Sequence, residues 1–161
     1  MPGYKSFPLP NSRRRISSLI FLLGVLGIGW SIGATNLPGS WYAALQKPWF
    51  NPPNWIFAPA WTLLYVMIAV AGRRTFLQDS KGVAFKVWLG QMLLNFAWSP
   101  VVFTFHSLAL GLAIIVTMQL LILTFIAIQW RPDRVSAILF VPYAAWVAFA
   151  SLLNYSLYQM N

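Results

Sequence analysis

The chain reads as five apolar runs separated by shorter polar connectors. Residues 16–35, 55–72, 83–105, 108–130 and 135–158 each approach or exceed the roughly 20 apolar residues that carry a helix across a ~30 Å hydrocarbon core. None contains Asp or Glu. Lys86 stands at the mouth of the third run, where its long stem lets the ammonium reach the headgroups. Apolar positions follow one another instead of alternating, so the runs read as helices and not as barrel strands, the other structure that satisfies every backbone group in lipid. The predicted fold is an all-α membrane protein: a five-transmembrane-helix bundle over residues 16–158, preceded by a basic segment at residues 1–15.

One connector breaks the rhythm. Residues 36–54, NLPGSWYAALQKPWFNPPN, join the first two runs, and Pro48, Pro52 and Pro53 forbid a continuous helix there. Long ordered loops in compact domains usually bind or cover something. Its Trp and Tyr content suits a lid folded over one end of the bundle or a belt at headgroup depth, and one loop can serve both.

Charge sorts the two sides of the bilayer. Lys5, Arg13, Arg14 and Arg15 precede the first run, Arg73, Arg74, Lys81 and Lys86 follow the second, and Arg131 and Arg134 follow the fourth. Ten bases thus share one side, and Lys47 alone lies on the other. That asymmetry predicts a cytoplasmic amino terminus and, with an odd number of spans, a carboxyl terminus on the opposite side.

Composition agrees. Hydrophobic residues make up 59% of the chain and charged ones 8%, far from the balance of a water-facing surface. A formal charge of +9 would suggest nucleic acid in a soluble protein, but these bases sit between apolar runs instead of on one face, so no nucleic-acid partner is expected. With no cysteine, disulfides and thiolate ligands are excluded. Arg13 to Arg15 ahead of an apolar run imitate a signal peptide. No convincing small-x-small cleavage site follows before Gly33, so the run is read as the first span.

Conventional catalysis needs titratable groups, and the runs hold almost none. His106, the lone histidine, falls between the third and fourth runs, where a polar residue in a tight turn is a simpler reading than a metal or haem ligand. No metal site is expected. What the runs do hold is rings: Phe57, Trp61, Trp98, Phe103 and Trp146 lie inside them. A mid-span indole N–H needs a partner in hydrocarbon, and so do the amides of Gln91, Asn95 and Asn154, so all should face other helices or a cavity. Gln91, Asn95 and Trp98 follow i, i+4, i+7 spacing on one helical face. Trp61 with Tyr65, and Trp146 with Ala150, Leu153 and Asn154, form similar stripes. Two readings stay open: a deep aromatic pocket for a flat conjugated ligand, or helix-packing glue. Gly29 with Gly33 and Gly27 with Ser31 make small-xxx-small pairs that let helices approach closely.

The run WYAALQKPWFNPP at residues 41–53, followed by Trp55, Pro59, Trp61, Leu64 and Tyr65, resembles the first loop and second helix of the TspO/MBR family of tryptophan-rich sensory proteins and translocator proteins, which includes the peripheral benzodiazepine receptor. Gln91 with LNFAWSP at 94–100, and VPYAAW at 141–146 with Ala148, Phe149, Ala150, Leu153, Asn154 and Tyr155, are similar to that family's third and fifth helices. The likeness covers about residues 17–158. It implies a five-helix bundle, often a homodimer, with a pocket under the first loop for porphyrins, haem and synthetic isoquinoline or benzodiazepine ligands. By matching position, that pocket would use Phe57, Ala58, Trp61, Asn95, Trp98, Phe103, Ala113, Trp146, Ala150 and Leu153, with Trp41 and Tyr42 from the loop. In bacterial members the tryptophans matching Trp61 and Trp146 are tied to light-dependent protoporphyrin breakdown, so these two are the candidates for any catalytic role; no residue supplies acid–base catalysis. The chain departs from the pattern twice. The fifth-helix sterol motif has Leu152, Leu153 and Tyr155 but no base before the end of the sequence, and Leu110 stands where the fourth helix often carries tryptophan.

The expected function is a membrane receptor, sensor or translocator that takes porphyrins and haem-type tetrapyrroles as noncovalent ligands, with lipid and a second copy as partners. Rival readings are a sterol or lipid carrier that uses a groove between helices, and a scaffold acting through partner proteins. The expected location is a bacterial cell membrane.

Overall fold

The computed structural model describes the backbone of residues 11–161 and the side chains of residues 16–161, so the side chains of the basic segment 1–15 lie outside the description. The elements run α1 (Asn11–Thr35), α2 (Ser40–Ala44), α3 (Phe57–Gln78), α4 (Val83–Ser99), α5 (Leu108–Gln129) and α6 (Arg134–Met160), with no strand among the described residues. Four helical stretches, residues 16–35, 54–78, 108–129 and 134–160, are long and apolar enough to cross a membrane.

The run 83–105 divides. Its α-helical part is 17 residues long and stops at Ser99. From Pro100 the turns widen: the Phe105 N–H donates to the Pro100 carbonyl at 3.0 Å and the Ser107 N–H to that of Val101 at 3.1 Å. Pro100 has no N–H for the α ladder and its ring crowds the carbonyl four residues back, a conflict that a wider turn relieves.

The helix α5 lies between α4 and α6, α3 packs on α6 and α1, and α1 leans on α3 with a smaller contact to α4. Ile68, Met118, Ile122, Phe125, Phe140, Tyr143 and Val147 are fully buried where α3, α5 and α6 meet, with the Phe125 and Phe140 rings 4.1 Å apart. Lipid tails are as apolar as leucine, so close packing and interhelical hydrogen bonds hold such helices together. Gly72 shows the closeness: a Cβ there would lie 2.2 Å from the Trp88 ring. The helix α1 is peripheral, and between residues 16 and 35 only Val25 and Gly29 are buried.

A polar clasp ties three helices at the end that carries the α3–α4 and α5–α6 connectors. Arg74 donates to both carboxylate oxygens of Asp133, Nη2 at 2.7 Å and Nε at 3.0 Å. The same carboxylate caps α6, accepting from Ser136 Oγ at 2.6 Å and, more weakly, from the Ser136 N–H. Beside it Gln129 Nε2 donates to Thr75 Oγ1 at 3.0 Å. Burial pushes the Asp133 carboxyl upward, yet the hydrogen bonds from Arg74 and Ser136 outweigh it and leave the group below the usual carboxylate range. A depressed folded-state value means stability that is complete above the unfolded-state value of about 4 and is lost as pH falls through the folded-state value. Thermal unfolding in detergent should therefore lose stability as pH drops below about 4, and Asp133→Asn should flatten that dependence while lowering stability at pH 7.

Candidate functional site

At the other end the helices enclose a cavity of about 610 Å³, within the roughly 300–1,000 Å³ range of small-molecule pockets. Trp30 and Gly33 of α1, Phe57, Ala58, Trp61 and Tyr65 of α3, Asn95 and Trp98 of α4, Phe103 of the widened turn, Ile115 and Met118 of α5, and Trp146, Ala150, Leu153 and Asn154 of α6 all line it. No lining residue is Asp, Glu, His, Lys or Arg. The rings meet edge-on or tilted: Phe57 and Trp146 lie 6.0 Å apart, Trp61 and Tyr65 5.4 Å, and Trp61 and Tyr143 6.3 Å.

The roof is the segment between α1 and α3. Lys47 Nζ donates to the carbonyls of Tyr42, Ala43 and Leu45 at 2.7, 3.1 and 3.1 Å, so a cation closes the carbonyl end of α2 where the helix dipole favours it. Tyr42 points down into the cavity, edge-on to Phe103 at 5.3 Å, and its burial pushes the phenol above its usual range. Trp41 stacks on His106 at 4.3 Å. His106 has φ 55°, a left-handed conformation that fits the tight turn expected for it. The Gln46 N–H and carbonyl exchange hydrogen bonds with the Asn161 side chain at 2.9 and 3.1 Å. Trp49 and Trp55 instead face outward, 96% and 72% exposed. Rings that cover the cavity and rings that face outward thus share one connector.

The polar groups are neutral and mostly satisfied. Tyr65 donates to Asn95 Oδ1 at 3.1 Å, Asn95 Nδ2 to the Tyr143 hydroxyl at 2.8 Å, and Tyr143 to Gln91 Oε1 at 2.9 Å. Trp98 Nε1 donates to Asn154 Oδ1 at 3.1 Å, whose amide donates to the Leu108 carbonyl at 3.0 Å. Among the cavity's lining residues the exception is Trp146, whose buried Nε1 has no hydrogen-bond partner; one layer behind, Gln91 Nε2 is likewise unpartnered. Such an orphaned donor invites an acceptor.

Ten of the twelve residues singled out from the sequence and the resemblance line this cavity: Tyr42, Phe57, Ala58, Trp61, Asn95, Trp98, Phe103, Trp146, Ala150 and Leu153. Trp41 sits above, stacked on His106. Ala113 faces away: it is exposed, and its carbonyl accepts from Thr117 Oγ1 at 2.8 Å. Gln91 lies one layer behind, fully buried against Tyr143. Sequence reasoning missed the α1 wall. Trp30 carried the signal already applied to Trp61, an indole well inside an apolar run, but on a helix apolar all round no pattern separates the face that meets a cavity from the face that meets lipid.

A flat conjugated guest fits this lining in one respect and strains it in another. Rings and an unpartnered N–H suit a macrocycle with acceptor nitrogens or oxygens. Carboxylate substituents find no cation among the lining residues.

Fold and site together define an integral membrane helical protein with an internal, uncharged aromatic chamber. Comparison with known proteins gives the family. The TspO/MBR family matches residues 18–160. The chain is 36% identical over 135 residues to Protein CrtK of Rhodobacter capsulatus, covering 80% of this chain and 83% of that one. It is 34% identical over 139 residues to the Tryptophan-rich sensory protein of Cereibacter sphaeroides, covering 86% and 88%, and 34% identical over 145 residues to the Translocator protein of Bos taurus, covering 83% and 84%. The chain belongs to the TspO/MBR family.

Proposed function

We propose that the protein is a five-span membrane receptor or translocator that binds flat tetrapyrroles, porphyrins and haem among them, in the aromatic chamber. The observation that carries this reading is the chamber itself: about 610 Å³, walled by indole and phenyl rings, without a charged side chain, and with the Trp146 N–H left over. Conjugated planes bury large apolar area on such rings, and an acceptor on the guest completes Trp146. In this reading α4 and the widened turn after it supply the fifth span, and the segment 36–54 is the lid. The bases of the α3–α4 and α5–α6 connectors hold the amino terminus in the cytoplasm and the carboxyl terminus opposite. Relatives named as a sensory protein and a translocator protein support a role in sensing or moving the ligand, and bacterial relatives support a bacterial cell membrane; in this reading the protein works as a homodimer. Trp61 and Trp146 face one chamber, so a photoexcited porphyrin there has two oxidisable indoles beside it.

Titrating protoporphyrin into the purified protein should quench tryptophan fluorescence saturably; unchanged fluorescence with no spectral shift would end the proposal. Under illumination, Trp146→Phe should slow porphyrin loss. Equal loss with and without protein would remove the photochemical role and leave binding intact.

A further inference from the structure

The chamber walls differ in thickness. The helices α3, α4, α5 and α6 back their lining with buried core, as at Tyr65, Asn95, Ile115 and Leu153. The second half of α1 has no such backing. Trp30, Gly33, Ala34 and Leu37 line the chamber and are exposed, Trp30 by 57% and Leu37 by 69%, and across the seam Thr62 on α3 lines it half-buried. One layer of side chains therefore separates the chamber from the exterior. At the seam Trp30 Nε1 donates to Thr62 Oγ1 at 3.3 Å, a long bond, while that hydroxyl also donates to the Ala58 carbonyl at 2.8 Å. A Cβ on Gly33 would meet nothing within 4 Å. The roof is held to the bundle more firmly, by the paired bonds between Gln46 and Asn161, the Trp41–His106 stack and the edge-on contacts of Tyr42 with Phe103 and of Phe50 with Phe149.

We propose that hydrophobic guests reach the chamber sideways from the acyl-chain region, through the seam between α1 and α3, with the Trp30–Thr62 bond as its latch. This rests on the reading of the chamber as a porphyrin site. A flat apolar molecule concentrates in the bilayer, so a side door meets it where it already is. Opening the roof breaks the two hydrogen bonds between Gln46 and Asn161 and separates the Trp41–His106 stack. Opening the seam breaks one long hydrogen bond and turns one indole, and acyl chains replace the contacts that α1 gives up at little cost.

The absence of cysteine allows a clean test. Two variants, Trp30→Cys with Thr62→Cys and Gln46→Cys with Asn161→Cys, are placed in phosphatidylcholine vesicles and joined by a short reducible thiol-to-thiol linker, which locks the seam or the roof. Each is mixed with phosphatidylcholine vesicles carrying protoporphyrin, and tryptophan quenching is followed before and after reduction. Locking the seam should slow quenching about tenfold or more relative to the same protein reduced, and locking the roof should change it less than about twofold. Slowing by the roof lock alone, by both locks or by neither overturns the proposal. Thr62→Val, which keeps every tryptophan, should quench about two- to tenfold faster than the unsubstituted protein, and an unchanged or slower rate counts against the latch. Absence of quenching in the unsubstituted protein would instead overturn the porphyrin reading, and this proposal with it.

Discussion

Trp146→Phe is expected to move stability and affinity in opposite directions. The Trp146 N–H is buried without a partner, a condition that costs about 1–3 kcal/mol. Phenylalanine keeps a ring on the wall and removes the orphan, so the ligand-free protein should become more stable, by about 1 kcal/mol once the partial compensation available to an unfolded chain in lipid is allowed for. Protoporphyrin should bind roughly two- to tenfold more weakly, because the guest loses a donor worth about 0.5–1.5 kcal/mol. Thermal unfolding in detergent and a fluorescence titration read the two quantities separately. A fall in both would mean that the indole serves as packing and that its nitrogen has no guest to meet.

Gly72→Leu is expected to disrupt the contact between α3 and α4. A Cβ at Gly72 would lie 2.2, 2.4 and 2.6 Å from three atoms of the Trp88 indole. That ring is not free to swing: its N–H donates to the Ile68 carbonyl at 3.0 Å and its face stacks on Phe85 at 5.6 Å. Even Gly72→Ala should cost about 1–3 kcal/mol through overpacking, and leucine more. Adding Trp88→Leu to Gly72→Ala should recover part of the loss, which identifies the clash as its source. Gly27→Ala is the contrast. Nothing lies within 4 Å of a Cβ there, so its effect should be confined to helix propensity, a gain of up to about 1 kcal/mol. Equal stability of the Gly72→Ala and unsubstituted proteins would contradict the close approach of these helices.

Those two glycines mark the boundary of what the chain discloses before it folds. In sequence Gly27, Gly29, Gly33 and Ser31 look alike as small contact residues; in space Gly29 lies under the Tyr65 ring, while Gly27 and Gly33 touch nothing through an added Cβ. Periodicity cannot rank them, because α1 is apolar on every side. Where a polar group must be buried, the reading is sharper. Gln91 and Asn95 had to face inward, and both end on Tyr143; the Trp146, Ala150, Leu153, Asn154 stripe on α6 faces the chamber as a unit. Ala113 shows the weakness of inference by position alone, since a small apolar residue meets lipid or cavity with equal ease. The break at Pro100 was present in the letters, but length and hydropathy, the criteria for a span, are blind to the change from α to wider turns.

The floor of the chamber carries a consequence for traffic. One and two turns beyond Met118 on α5, and one turn before Tyr143 on α6, stand Ile122, Phe125 and Phe140, all with no exposed surface, and past them the Arg74–Asp133 clasp binds the far ends together. A guest that arrives beside Tyr143 has reached a cul-de-sac. Passage of a guest from the chamber to the far end of the bundle would require the clasp and the phenylalanine pair to part.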